Sequence, residues 1–127
     1  GSHIPSAAET MLSPGEVLGL VRWKEQFLLH ARRPLVHFGY RRSVEAEEMA
    51  DALAWLRQQP GRALVIRASD LEPCFDRERA RPLGEAHRQE WLLVRADALT
   101  GTCQAPASPV YLRRYSPATR YLLPGGG

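Results

Sequence analysis

Four short apolar runs most constrain what this chain can fold into. They occupy residues 17–21, 35–38, 63–66 and 91–94, and the residues between them are largely polar. A strand that is buried on both faces is almost continuously apolar, whereas a half-exposed strand alternates apolar and polar residues. The runs therefore predict buried strands of a mostly parallel sheet.

The segment between the second and third runs has the pattern of a helix over residues 44–59. Ser43 is a suitable N-cap, glutamates lie in the first turns, where the helix dipole favours negative charge, and Pro60 and Gly61 end the pattern. One buried stripe is predicted at helical spacing, formed by Ala46, Met49, Leu53 and Leu56. Shorter helices are predicted over Trp23–Ala31, near Asp70–Cys74 and over Arg77–Ala80.

This alternation predicts an α/β fold, a small three-layer sandwich. Its mostly parallel sheet has four or five strands, with helices on both faces. Residues 1–3 are expected to be the remnant of a cleaved tag, residues 4–15 to form a short helix and linker, and residues 16–98 to form the domain. Residues 99–127 are expected to form a mobile, loop-rich tail with at most one edge strand, over Val110–Leu112.

The charges of the chain are scattered rather than clustered. The formal net charge is +3, and of the 17 basic residues only Lys24 is a lysine. A protein that binds nucleic acid concentrates its positive charge on one face, so no nucleic-acid partner is expected. The isolated domain is expected to be a monomer.

Cys74 and Cys103 leave two alternatives open. In an oxidising compartment they can form a disulfide that closes a loop of about 30 residues. Alternatively, Cys74, between Pro73 and Phe75, is a buried free thiol. Two cysteines cannot complete a tetrahedral zinc site, so no metal is expected.

Ligands of open parallel sheets bind at the carboxyl ends of the strands. Three such ends, at residues 22–26, 39–42 and 67–69, form a predicted basic and aromatic rim, called here the strand-end rim. It is suited to a phosphate or a lipid headgroup, although the same charges are also typical of ordinary solvated loops. The predicted binding residues are Trp23, Lys24, Gln26, Arg41 and Arg42.

Catalytic and cofactor motifs do not emerge from the sequence. The turn after the first strand lacks the glycines that a nucleotide-binding loop needs, so no cofactor is expected. His37 lies in an apolar strand, which is typical of a core histidine. His87 could act as a general base with Asp76 or Glu85, as in a small hydrolase or transferase, but no nucleophile accompanies it. No catalytic residue is therefore assigned.

Several stretches of the chain carry a family resemblance. They are residues 20–29 (LVRWKEQFLL), 33–39 (RPLVHFG), 73–76 (PCFD) and 83–91 (LGEAHRQEW). Together they resemble the soluble C-terminal region of bacterial integral-membrane glycosyltransferases, which are similar to the aminoarabinose transferases of lipid A and more distantly to protein O-mannosyltransferases. The resemblance covers roughly residues 16–95.

This resemblance implies a non-catalytic accessory domain on the periplasmic face of the bacterial inner membrane. Its partners would be the transmembrane part of the same chain and an anionic lipid or polyprenyl-phosphate headgroup. The parent enzyme would transfer a sugar from a polyprenyl-phosphate donor to a lipid A-like or other cell-envelope acceptor, and residues 4–15 would be a juxtamembrane helix. The alternative is a stand-alone α/β protein-interaction or regulatory module without catalytic activity.

Overall fold

The structure, a computed structural model, describes residues 3–21, 35–38, 45–101, 103 and 120–121. Its helices are α1 (His3–Thr10) and α2 (Glu45–Gln58). Its strands are β1 (Val17–Val21), β2 (Leu35–Phe38), β3 (Arg62–Arg67), β4 (Arg81–Ala86), β5 (Gln89–Arg95) and β6 (Arg120–Tyr121). Three single 3₁₀ turns complete the described structure, at Ala68–Asp70, Arg77–Arg79 and Ala96–Ala98.

The strands form one mixed sheet in the order β4-β5-β3-β1-β2-β6. β1 is parallel to both of its neighbours, β2 and β3. All the other pairings are antiparallel: β3 with β5, β5 with β4, and β2 with β6. The predicted fold, a three-layer sandwich built on a mostly parallel sheet, is therefore wrong, because the sheet is mixed and each face carries only one of the two described helices.

The reason for the error lies after β3. The chain does not return through a helix to another parallel strand but forms the β4–β5 hairpin, whose strands run antiparallel to their neighbours. β4 was not predicted because it contains Pro82 and Gly84, which are unfavourable inside a strand. Both are tolerated here because β4 is an edge strand and its pairing with β5 is irregular between these two residues.

Helix α2 covers one face of the sheet. Its buried residues Leu53, Trp55 and Leu56 pack in one cluster with strand residues that include Phe38 and Leu64. Leu53 and Leu56 of the predicted stripe are thus buried as expected, and Met49 is partly buried against the same cluster. Ile66, Leu92 and Val94 extend this core toward the hairpin.

An irregular segment, residues 68–80, covers the same face beside α2. Leu71, Cys74, Phe75 and Ala80 belong to the core cluster that also contains the α2 residues. The segment contains two of the 3₁₀ turns. Asp76 caps the second, since its Oδ1 accepts a hydrogen bond from the Glu78 N–H at 3.0 Å. Residues 68–80 thus connect β3 to β4 without an α-helix, whereas a parallel α/β fold has a helix in this connection.

Helix α1 packs on the opposite face. Ile4, Ala8 and Leu12 are buried in a second core cluster with residues such as Trp91 and Leu93 of β5. Within the described residues, no helix is both long and apolar enough to span a bilayer. The predicted helix at 23–31 and the predicted strand at 110–112 lie outside the described residues.

Arg95, at the end of β5, holds the turn between α1 and β1. Its Nε and Nη2 donate to the two carboxylate oxygens of Glu16 at 2.9 and 3.1 Å, and Nη2 also donates to the carbonyl oxygen of Met11. The hydrogen bond to Glu16 raises the pKa of the Arg95 guanidinium. These contacts fix the N-terminal segment to a strand far away in sequence.

Candidate functional site

The three parallel strands end at one edge of the sheet, called here the carboxyl edge. β1 ends at Val21, which is the register partner of Phe38, the last residue of β2. β3 lies on the other side of β1 and ends at Arg67. The chain leaves β1 toward β2 on one side, and leaves β3 toward β4 and β5 on the other. In open α/β sheets, ligands bind beside the strand ends where the direction of the connections reverses in this way.

The five predicted binding residues lie outside the described residues. Trp23, Lys24 and Gln26 follow β1, and Arg41 and Arg42 follow β2. What the structure does describe is the end of each preceding strand. Val21 and Phe38, the last residues of these two strands, pair in register at the carboxyl edge.

The third part of the strand-end rim, residues 67–69, lies within the described structure. Arg67 makes a bidentate ion pair with Asp70, from Nε to Oδ2 at 2.9 Å and from Nη2 to Oδ1 at 3.1 Å. Both side chains are mostly buried, with 19% and 10% of their surface exposed. The 3₁₀ turn at Ala68–Asp70 creates this contact by bringing Asp70 back over the strand end. Arg67 is therefore held in place by Asp70, a partner that the sequence analysis did not assign.

The tip of the β4–β5 hairpin is a second feature of this edge that the sequence analysis missed. Arg67 pairs with Trp91, so the hairpin continues past the end of β3 through residues 85–90, by about 10 Å at the strand rise of 3.3 Å per residue. Its turn residues, His87 and Arg88, are both exposed. The tip therefore extends beyond the carboxyl edge.

The backbone of the hairpin tip has an unusual conformation. His87 has φ 54° and Arg88 has φ 64°, which places two consecutive side-chain-bearing residues in the left-handed region. A two-residue hairpin turn of this type strongly favours Asn-Gly, because each other residue in this conformation costs about 1–2 kcal/mol. The missing Asn-Gly pair also explains why the hairpin was not predicted.

The described structure does not bring His87 and Asp76 together as an acid–base pair. The side chain of His37 lies outside the described residues. His87 lies at the exposed hairpin tip, while Asp76, one of its two predicted partners, uses its carboxylate to cap a 3₁₀ turn. In the part of the chain that the structure describes, no three histidine, cysteine, aspartate or glutamate residues are grouped as metal ligands.

The two cysteines form a disulfide. The Sγ atoms of Cys74 and Cys103 are 2.05 Å apart, and the bridge spans 29 residues. Hydrogen bonds support the same junction: the Thr100 N–H donates to the Cys74 carbonyl at 2.7 Å, and Thr100 Oγ1 donates to the Pro73 carbonyl at 2.6 Å. The bridge thus ties the crossover of residues 68–80 to the chain that follows β5, and of the two alternatives the disulfide is the one observed.

Comparison of the chain with models of protein families, with curated proteins and with solved structures gives no significant match.

Proposed function

We propose that this chain is a non-catalytic accessory domain of a bacterial membrane glycosyltransferase, on the periplasmic face of the inner membrane. The enzyme transfers a sugar from a polyprenyl-phosphate donor to a lipid A-like or other cell-envelope acceptor. The domain holds the acceptor, or the closed form of the enzyme, beside the membrane-embedded reaction centre. Its contact residues are Trp23, Lys24, Gln26, Arg41 and Arg42.

The observation that carries this proposal is the parallel pairing of β1 with β2. Trp23, Lys24 and Gln26 follow Val21 within five residues, and Arg41 and Arg42 follow Phe38 within four. The register pairing of Val21 with Phe38 starts both segments from neighbouring points of the carboxyl edge. Aromatic and cationic residues that follow two neighbouring strand ends in the sequence are suited to an anionic headgroup.

The disulfide supports the proposed compartment. Bridges such as Cys74–Cys103 persist in the periplasm and outside the cell, whereas reducing systems of the cytosol keep thiols free. A periplasmic position agrees with the family that the sequence resembles. In that family the catalytic acidic residue belongs to the membrane portion, so no catalytic role is given to any residue of this chain.

The proposal is tested in the natural reading frame that encodes this chain. Its upstream sequence should contain several apolar segments of about 20 residues, as membrane-spanning helices require. An upstream region without such segments contradicts the proposal and favours the stand-alone interaction module.

Sugar transfer by the membrane-inserted enzyme is the second test. Lys24→Ala and Arg41→Ala should each lower the transfer rate while the domain keeps its melting temperature. Arg57→Ala is the matched control, because Arg57 is an exposed arginine near the end of α2, at the opposite edge of the sheet. Equal rates for all three variants and the parent enzyme would overturn the assigned contact residues.

A further inference from the structure

The β4–β5 hairpin tip combines an unfavourable backbone with exposed polar side chains. His87 and Arg88 both have positive φ, a conformation for which Asn and Gly are better suited. Unfavourable conformations of this kind concentrate at binding and catalytic sites, where the side chains themselves are needed. The residues at this turn are thus better explained by their side chains than by the stability of the hairpin.

The tip is firmly anchored at its base. Trp91 is 3% exposed, and its indole Nε1–H donates to the carbonyl oxygen of Ala86 at 3.0 Å. Ala86 is itself buried and pairs with Gln89 across the turn. Because these contacts fix both ends of the turn, His87 and Arg88 have a defined position beyond the carboxyl edge.

Arg88 differs from most arginines of residues 45–101 in having no partner. Arg62, Arg67, Arg77, Arg79 and Arg95 all donate hydrogen bonds to carboxylate, amide or carbonyl oxygens. Within the described structure, the guanidinium groups of Arg88 and Arg81 make no hydrogen bond or ion pair. Both lie on the outermost hairpin, but Arg81 is at the start of β4, six positions before the turn residue His87.

We infer that His87 and Arg88 form a contact site for the phosphate groups of anionic lipid headgroups. A guanidinium can donate two parallel hydrogen bonds to a phosphate, and the neighbouring imidazole offers a further donor. The choice of a lipid as the source of the phosphate rests on the proposed function, which places the domain at a membrane surface. The hairpin tip then meets the headgroup layer while the body of the domain stays in water.

Binding to lipid vesicles tests the inference with the 127-residue chain itself. Vesicles of phosphatidylglycerol and phosphatidylcholine are compared with vesicles of phosphatidylcholine alone, at low ionic strength. The double variant His87→Asn, Arg88→Gly removes both side chains and installs the preferred turn, so it should melt at the same temperature as the parent protein or higher. Its affinity for the anionic vesicles should fall about fivefold, the effect of about one arginine near an anionic surface.

Arg81→Ala is the matched control, since it removes the same charge from the same hairpin. It should bind the anionic vesicles almost as well as the parent protein. Arg88→Glu is a second variant, which keeps a side chain at the turn and should also weaken binding. Parent-like affinity of the double variant would overturn the inference, and so would an equal loss in Arg81→Ala, which would indicate binding by dispersed charge.

Two further results separate the possible causes of failure. Competition by millimolar inorganic phosphate, with no preference for anionic vesicles, would assign the site to free phosphate and overturn the lipid contact. The proposed function is judged by sugar transfer in the Lys24→Ala and Arg41→Ala variants, not by vesicle binding. A parent-like double variant together with impaired transfer would therefore reject the lipid contact and leave the proposed function standing.

Discussion

Trp55 of α2 lies so close to Gly19 of β1 that a Cβ atom at position 19 would be 2.8 Å from Cζ3 of the indole ring. The same atom would be 2.8 Å from Leu64 Cδ2 and 3.0 Å from Phe38 Cε2. Phe38 and Trp55 also contact each other edge to face, with ring centroids 5.5 Å apart. The absence of a side chain at Gly19 thus allows the helix to pack against the centre of the sheet.

Gly19→Ala should destabilise the domain. The added methyl group must displace two aromatic rings and a leucine in a tightly packed core, and overpacking of this kind costs about 1–3 kcal/mol. The free energy of unfolding, measured by urea titration, checks this. Gly101→Ala is the control, because no atom lies within 4 Å of a Cβ at that position, and it should leave stability nearly unchanged. Equal stability of the two variants would contradict the close packing.

Loss of the Cys74–Cys103 bridge should also lower stability. A bridge across 29 residues restricts the unfolded chain and stabilises the fold by about 3–4 kcal/mol in the chain-entropy description. The urea midpoint of the oxidised protein should fall on addition of a reductant. The double variant Cys74→Ala, Cys103→Ala should match the reduced protein and not respond to the reductant. An unchanged midpoint in the parent protein would show that the bridge contributes nothing.

Arg62→Ala should be among the more destabilising changes. Arg62 is 8% exposed, and its Nη1 donates to the carbonyl oxygen of Trp55 at 2.6 Å and to Gln58 Oε1 at 3.0 Å. Its guanidinium also lies 4.7 Å from the centroid of the Trp55 ring. Loss of charged hydrogen bonds at the end of α2 should cost about 2–3 kcal/mol.

Thermal unfolding followed by tryptophan fluorescence measures this cost. Arg62→Lys keeps the charge but not the planar donor geometry, so it should recover only a small part of the loss. Arg57→Ala, at an exposed position of α2, should change stability by less than about 0.5 kcal/mol. Full recovery by lysine would assign the effect to charge alone.

Glu85→Gln should stabilise the hairpin slightly. Glu85 and Glu90 are direct partners across β4 and β5, and like charges in this position repel each other. Arg77 pairs with Glu90 at 2.7 Å and so offsets only part of this repulsion. The expected gain is about 0.3 kcal/mol, and it should shrink in high salt because the repulsion is screened. Glu72→Gln, exposed and outside the hairpin, is the control.

Strands β1, β2, β3 and β5 and helix α2 could be predicted from the sequence. The continuous apolar runs identified β1, β2, β3 and β5, and the capping and spacing pattern identified α2, because local propensity and burial agree in these elements. Strand β4 could not be predicted from its own sequence pattern. Arg81–Ala86 forms a strand because β5 offers it hydrogen bonds and a buried face for Leu83 and Ala86, not because of its own pattern.

The carboxyl edge of the sheet was predictable to a similar extent. Parallel pairing of β1 with β2 follows from their buried character, and with it the common edge at which Val21 and Phe38 end the two strands. The pairing of Arg67 with Asp70 depends on one 3₁₀ turn, and the position of His87 and Arg88 depends on a hairpin with an uncommon turn sequence. Both are consequences of tertiary structure that residue types alone do not specify.

The contact of Arg95 with Met11 and Glu16 has a consequence for the order in which this domain is built. It joins residues that are 79 and 84 positions apart, and Trp91 and Leu93 complete the surface on which α1 lies. A chain that emerges from the ribosome or a translocon from its N-terminus therefore produces α1 first and its docking surface last. Until about residue 95 has emerged, Ile4, Ala8 and Leu12 lack most of their partners on β5, so the first helix is among the last elements to pack.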